Sequence, residues 1–244
     1  IYDRTLFVVT ADHGMVPNNR AVDRRAVQAA VARAGGHYYF HTGGTAADIY
    51  LHNPSRARAV SREMARVSGV AGAYYHHRRG GQFEYLPAPG QSLPPALDDA
   101  YRYLLSTFDG PAAPDVVAPY HENTIGKTYT QAYGDHGGLN WGAQHIPLVL
   151  RGPGVRAGAR SHHPARLIDV APTVLRLLSL SAPMDGAVLA DALLDPTAAE
   201  VAAQSADAGA LAAYQDALKE QTARDIRWYG RKHIEVPPAA RPHP

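Results

Sequence analysis

The stretch "TLFVVTADHGM", residues 5–15, constrains the fold more than any other part of the chain. Its first half, Thr5 to Thr10, is mostly apolar on both faces. A strand of that kind belongs inside a sheet with neighbours on each side, not at a wet edge. It stops at Asp12 and His13, two groups that water solvates well, followed by Gly14. In open α/β sheets the loops at the carboxyl ends of strands are where ligands bind. The stretch therefore predicts a buried strand that holds two polar side chains out to a site. Few residues precede it, and Ile1 is not a start methionine, so the expectation is a chain whose N-terminal part is missing.

Downstream, helical and extended patterns alternate. After the breaker-rich loop "GMVPNNR", residues 21–34 read as a helix closed by Gly35 and Gly36. A strand is expected at 47–52, a helix at 55–67 with Ser55 as N-cap, and a hairpin from 72–77 and 82–86 across "RRGG". Further on come a helix at 97–107 and strands at 115–120 and 146–152. In "RLIDVAPTVLRLLSL", Asp169 is placed to cap a helix whose first turn accommodates Pro172. The end reads as a helix over 206–228 and a mobile Pro-rich tail from Pro237. Alternation of this kind indicates an α/β or α+β layer fold.

Composition limits the chemistry. The 244 residues are 45% hydrophobic and 19% charged, enough for a sizeable core. A formal charge of +2 announces neither a nucleic-acid nor a membrane-surface partner. The absence of cysteine removes disulfides, thiolate zinc sites and thiol catalysis together. No apolar run approaches the roughly 20 residues that cross a bilayer. Any metal site must come from histidine and carboxylates.

Two places carry an Asp-His pair followed by glycine: Asp12-His13-Gly14 and Asp135-His136-Gly137. A carboxylate and an imidazole are natural ligands of Zn²⁺, and glycine lets the backbone turn away from the ion. A single tripeptide of this kind is weak evidence, since Asp often caps turns and His often lies on surfaces. Context strengthens the first, because a buried carboxylate behind an apolar strand costs several kcal/mol unless a cation or donors meet it. Asp135 is expected to serve its turn, and His145 is either a strand-entry or a substrate-facing residue. The adjacent pairs His76-His77 and His162-His163 point to opposite sides of an extended chain and are expected on the surface. "TIGKTYT" is not a phosphate-binding loop, because His121 stands where the first glycine is required. Lys127 within it is read as a solvated lysine.

Joined to "GDHGGLNWGAQHIPLVLRGPGV" (134–155) and "RLIDVAPTVLRLLSLSAPMDGAVL" (166–189), the opening stretch resembles the second half of the alkaline phosphatase superfamily. The likeness is greatest to its nucleotide pyrophosphatase/phosphodiesterase branch and extends from about Thr5 to Leu189. It implies an α/β core sheet with helices on both faces, over residues 1–195. A small α+β insertion at about 37–110 and an appended 196–244 segment complete the expected organisation. It further implies a two-zinc centre, other divalent metals being acceptable. There Asp12 and His13 ligate the metal that holds the nucleophile's oxygen, and His136 ligates the second. The Ser or Thr nucleophile and the other ligands would precede residue 1, so this chain alone is expected not to turn over. The implied substrate is a small phosphate ester, with export of the parent slightly favoured. Alternatives are a sulfatase, a phosphonate hydrolase or a phosphoglycerate mutase of the same superfamily, or a truncated metal-binding chain without activity.

Overall fold

The computed structural model describes residues 1–17, 20–41, 44–80, 82–108, 110–127 and 134–230. In chain order the first elements are β1 (Phe7–Thr10), β2 (Val16–Pro17), β3 (Arg20–Asp23), α1 (Arg24–Arg33), β4 (Tyr38–His41) and β5 (Ala46–Leu51). There follow α2 (Ala57–Met64), β6 (Tyr74–Arg79), β7 (Gln82–Pro87), α3 (Pro95–Leu105), β8 (Val116–Pro119) and β9 (Thr124–Lys127). The last are β10 (Gly134–Asp135), α4 (Trp141–Gln144), β11 (Leu148–Arg151), α5 (Val170–Leu177), α6 (Ala198–Ala206) and α7 (Ala208–Gly230). The chain is thus mixed α/β, with several helices and one five-stranded sheet. No helix among the described residues is long and apolar enough to cross a membrane. The Pro-rich tail from Pro237 and the end of "TIGKTYT" lie outside the described residues.

Two compact units divide the chain: residues 1–12 with 146–216, and residues 13–145 with 217–244. In the second unit the five strands run in the order β4-β5-β8-β6-β7 with antiparallel neighbours. Alternation in "AADIYL" decides which face is dry: Ala47, Ile49 and Leu51 are buried, whereas Asp48 and Tyr50 on the other face are half-buried. Against the dry face lie α1 and α2, bringing Val27, Val31, Val60 and Met64. Their starts and stops are local. Asp23 caps α1 by accepting from the Arg25 N–H, and Gly35, at φ +66°, ends it in a conformation that favours glycine. The opposite face takes α3, where the Tyr74 hydroxyl donates to Asp98 and the Tyr74 and Tyr101 rings meet edge to face. This unit also holds a parallel pair, β3 with β9, and a short antiparallel pair, β2 with β10.

In the first unit β1 pairs antiparallel with β11, Val9 lying opposite Val149. The expectation of a neighbour on each side of β1 differs from this arrangement: among the described residues it forms a two-stranded ribbon. Val9 and Val149 are consequently 58% and 55% exposed on one face. The buried Asp169 also departs from the expected role. Its carboxylate caps no N–H of α5; it accepts from the Arg166 N–H and guanidinium and from the Ala187 N–H. That ties residues 166 and 187 together across the turn into α5. The helix α6, not foreseen from sequence, starts at a capping box in which Thr197 and Glu200 satisfy each other's backbone N–H groups.

Candidate metal centre

The register of β2 against β10 sets the site. Asp135 lies opposite Val16 and Gly134 opposite Pro17, so "GDHGG" runs back along "DHGM". The imidazoles of His13 and His136 then stack, with centroids 3.9 Å apart and planes within 8°. Residues far apart in sequence but alike in pattern are thereby brought face to face within one unit.

The His13 ring is set by the neighbouring backbone, and the His136 main chain is fixed at both ends. The Nδ1 of His13 lies 2.9 Å from the carbonyl oxygen of Gly14. A carbonyl only accepts, so in the neutral ring Nδ1 carries the proton and Nε2 the lone pair. The Gly14 N–H donates to the Ala143 carbonyl at 2.8 Å, and a Cβ on Gly14 would stand 2.1 Å from the Gly142 carbonyl oxygen. Only glycine fits so close to the backbone of α4. His136 is exposed, and its N–H donates to the Asp135 carboxylate at 2.8 Å, the turn role expected of Asp135. The His136 carbonyl accepts from the Thr45 N–H at 3.2 Å, which links this loop to the start of β5.

Asp12, the third predicted ligand, belongs to the first unit, exposed and two residues beyond β1. Among the described residues no group of three or more His, Asp or Glu side chains gathers as a metal would need. His13 and His136 fit as part of a donor set: two nitrogen ligands in contact, one of them with its tautomer fixed by a hydrogen bond.

The remaining histidines sort differently. His162 and His163 are exposed, as expected. His76 and His77 do point to opposite sides, but His76 is only half exposed: its ring stacks on Phe83 at 4.8 Å and its Nε2 is buried with no partner among the described residues. Burial holds its pKa below the ordinary value, partly offset by the nearby Asp115. His145 is exposed and stacks on Trp141 at 4.3 Å, while the Lys219 ammonium lies 4.8 Å from the Trp141 ring centre.

Sequence reasoning passed over one buried polar network. Asp225 accepts from the Glu122 N–H and from the Gln221 amide and lies 2.9 Å from the His121 Nδ1; Glu122 in turn accepts from the Thr222 hydroxyl. Both carboxylates are buried. "YHEN" directly after an apolar strand was the available signal, but its partners lie about a hundred residues downstream.

No family model matches the chain. Arylsulfatase K of Danio rerio is 29% identical over an alignment of 119 residues that covers 44% of this chain. The match spans 22% of the length of that relative. The similarity carries no sign of the nucleotide pyrophosphatase branch in particular. What it establishes is weak homology to a member of the alkaline phosphatase superfamily.

Proposed function

We propose that the chain is part of a metal-dependent ester hydrolase of the alkaline phosphatase and sulfatase superfamily, contributing Asp12, His13 and His136 as metal ligands. The observation that carries this reading is the His13–His136 stack. The lone pair of an imidazole lies in the ring plane, so one ion cannot lie in both of two parallel planes 3.9 Å apart. Two ions would be needed, one held by each ring, as in two-metal hydrolytic sites. Zinc would suit the imidazole nitrogens of His13 and His136 as donors. Asp12 is assigned from sequence alone, as the oxygen ligand next to His13.

When bound, the ions would supply Lewis-acid activation of a hydroxyl nucleophile and neutralisation of charge on the ester oxygens. The chain's own residues fix direction. His13 presents Nε2 because Gly14 holds its Nδ1 proton, and the main chain of His136 is held by hydrogen bonds at its N–H and its carbonyl.

Two substrate classes follow from different observations. The "DHGM" and "GDHGG" motifs favour phosphate diesters; the similarity to a protein named an arylsulfatase favours sulfate esters. Zinc titration of the 244-residue chain and of His13→Ala and His136→Ala tests the ligand assignment. Each substitution should weaken zinc binding at least about tenfold, by analogy with the loss seen on disturbing ligand shells. Wild-type affinity in both variants would sink it. Nitrophenyl sulfate and bis-nitrophenyl phosphate, offered to the chain and to its extended reading frame, separate the two classes. The chain alone should hydrolyse neither.

A further inference from the structure

Behind the loop that carries His136 lies a small group of buried polar atoms that nothing so far described employs. Thr45 is 0% exposed and Asn140 5% exposed. The Thr45 Oγ1 and both Asn140 amide atoms, Oδ1 and Nδ2, have no hydrogen-bond partner among the described residues. A buried orphan of this kind typically costs about 1–3 kcal/mol, so three in one place call for a reason.

The Thr45 hydroxyl and the Asn140 Oδ1 come together at Gly138. A Cβ on Gly138 would stand 2.1 Å from the Thr45 Oγ1 and 2.7 Å from the Asn140 Oδ1. The hydroxyl and the carboxamide oxygen therefore both border the space that a side chain on residue 138 would fill. A hydroxyl both donates and accepts and a carboxamide does both through separate atoms, so the two groups are chemically matched to one another. Both residues are anchored. Thr45 donates its N–H to the His136 carbonyl, and its own carbonyl accepts from the Tyr120 N–H at the end of β8. Asn140 uses its carbonyl for the Ala143 and Gln144 N–H groups, leaving its side chain out of the cap of α4. The Gln144 amide adds a hydrogen bond to the Gly138 carbonyl at 2.7 Å.

From this geometry we infer that Thr45 and Asn140 are positioning residues, a polar clip that closes over Gly138 and holds His136 in stacking register with His13. The clip connects His136 to β5 on one side and to α4 on the other. Through Ala143 and Gly142, α4 also fixes the Gly14 backbone beside His13. One short segment thus sets both rings. The positioning role stands on geometry alone; its effect on metal affinity rests on the reading proposed above.

The test uses the 244-residue chain with selectively labelled histidines. Two readouts are taken: the nuclear Overhauser contact between the His13 and His136 rings, and zinc affinity. Thr45→Val keeps the shape and removes the hydroxyl; it should abolish the ring contact and weaken zinc binding about tenfold. Thr45→Ser, which restores the hydroxyl, should retain both. Asn140→Leu, on a different element, carries the same expectation and decides the matter if Thr45→Val unfolds. The His121 ring, held by Asp225 in the same unit, should not move in any of them. Retention of ring contact and zinc affinity in Thr45→Val, with higher stability from the loss of an idle buried hydroxyl, would overturn the inference. So would absence of the ring contact in the wild type. If the wild type binds no zinc yet Thr45→Val loses the ring contact, the clip stands and the metal reading falls. If His136→Ala loses zinc but Thr45→Val changes nothing, the metal reading stands and the clip falls.

Discussion

His76 shows how one residue's placement sets a pH dependence. Its ring stacks on Phe83, its Nε2 is buried without a partner among the described residues, and burial lowers its pKa from the ordinary 6.5. The folded protein therefore takes up this proton less readily than the unfolded chain. By linkage, the stability involved is fully present above the unfolded value of 6.5 and is lost as pH falls through the window down to the depressed folded value. Asp115, close enough to favour the charged ring, narrows that window. His76→Phe conserves the ring stacking and removes the titration. Urea unfolding at a series of pH values should show the dependence across this window flattened in the variant, with stability at neutral pH unchanged or raised. An unchanged pH slope would show that His76 is not its source. Position along a strand predicted the opposite directions of His76 and His77. It did not predict which one the hairpin would cover, because Phe83 reaches His76 only through the cross-strand register of β6 and β7.

At the scale of elements, residues 217–230 of α7 are held in the second unit by polar as well as apolar contacts. Leu218 and Ala217 are buried, and Asp225 gathers the Glu122 N–H, the Gln221 amide and the His121 ring. Removal of Asp225 leaves the buried Glu122 N–H without its acceptor and breaks hydrogen bonds to a charged group, each worth about 1.5–3 kcal/mol. Asp225→Ala should lower stability by at least about 2 kcal/mol in denaturant melts. Earlier hydrogen exchange of residues 217–226 should accompany that loss. A change under about 0.5 kcal/mol, the ordinary range for surface substitutions, would place the network outside the stabilising core. Helix α7 itself was legible from its Ala-rich composition, with ends two residues from the expected ones. Its docking was not, since a lone Asp in a charged helix face looks like any solvated residue. Asp169 is a parallel case: the sequence identified a capping aspartate, and the fold gave its carboxylate to residues 166 and 187.

For the whole molecule, the exposed face of the β1–β11 ribbon has consequences in solution. Phe7, Val9 and Val149 share that face, and contiguous apolar surface of this kind promotes association. The double variant Val9→Thr, Val149→Thr should reduce concentration-dependent light scattering and dye binding. Stability should change by less than about 1 kcal/mol, because both side chains are already mostly in water and threonine keeps the β-branched shape. Undiminished scattering would exclude this face as the source.

What the sequence by itself determined is local and periodic. The strand at 47–52, the glycine stop at Gly35 and the hairpin around "RRGG" all rest on forces acting within a few residues, and each is found at or within a few residues of the expected place. The helix expected from residue 21 begins instead at Arg24, because residues 20–23 pair with β9, a partner about a hundred residues away. The repeated Asp-His-Gly pattern was equally plain, and it singled out His13 and His136. Only the tertiary structure decided that their rings stack. That contact depends on β2 pairing with β10 and on Gly14 and Gly138 being bare where other backbone and side chains press in. It also decided that β1 pairs antiparallel with β11, and that Asp225 closes on His121 and Glu122. Long-range register is settled by the sum of many small contacts, and a single sequence does not display that sum.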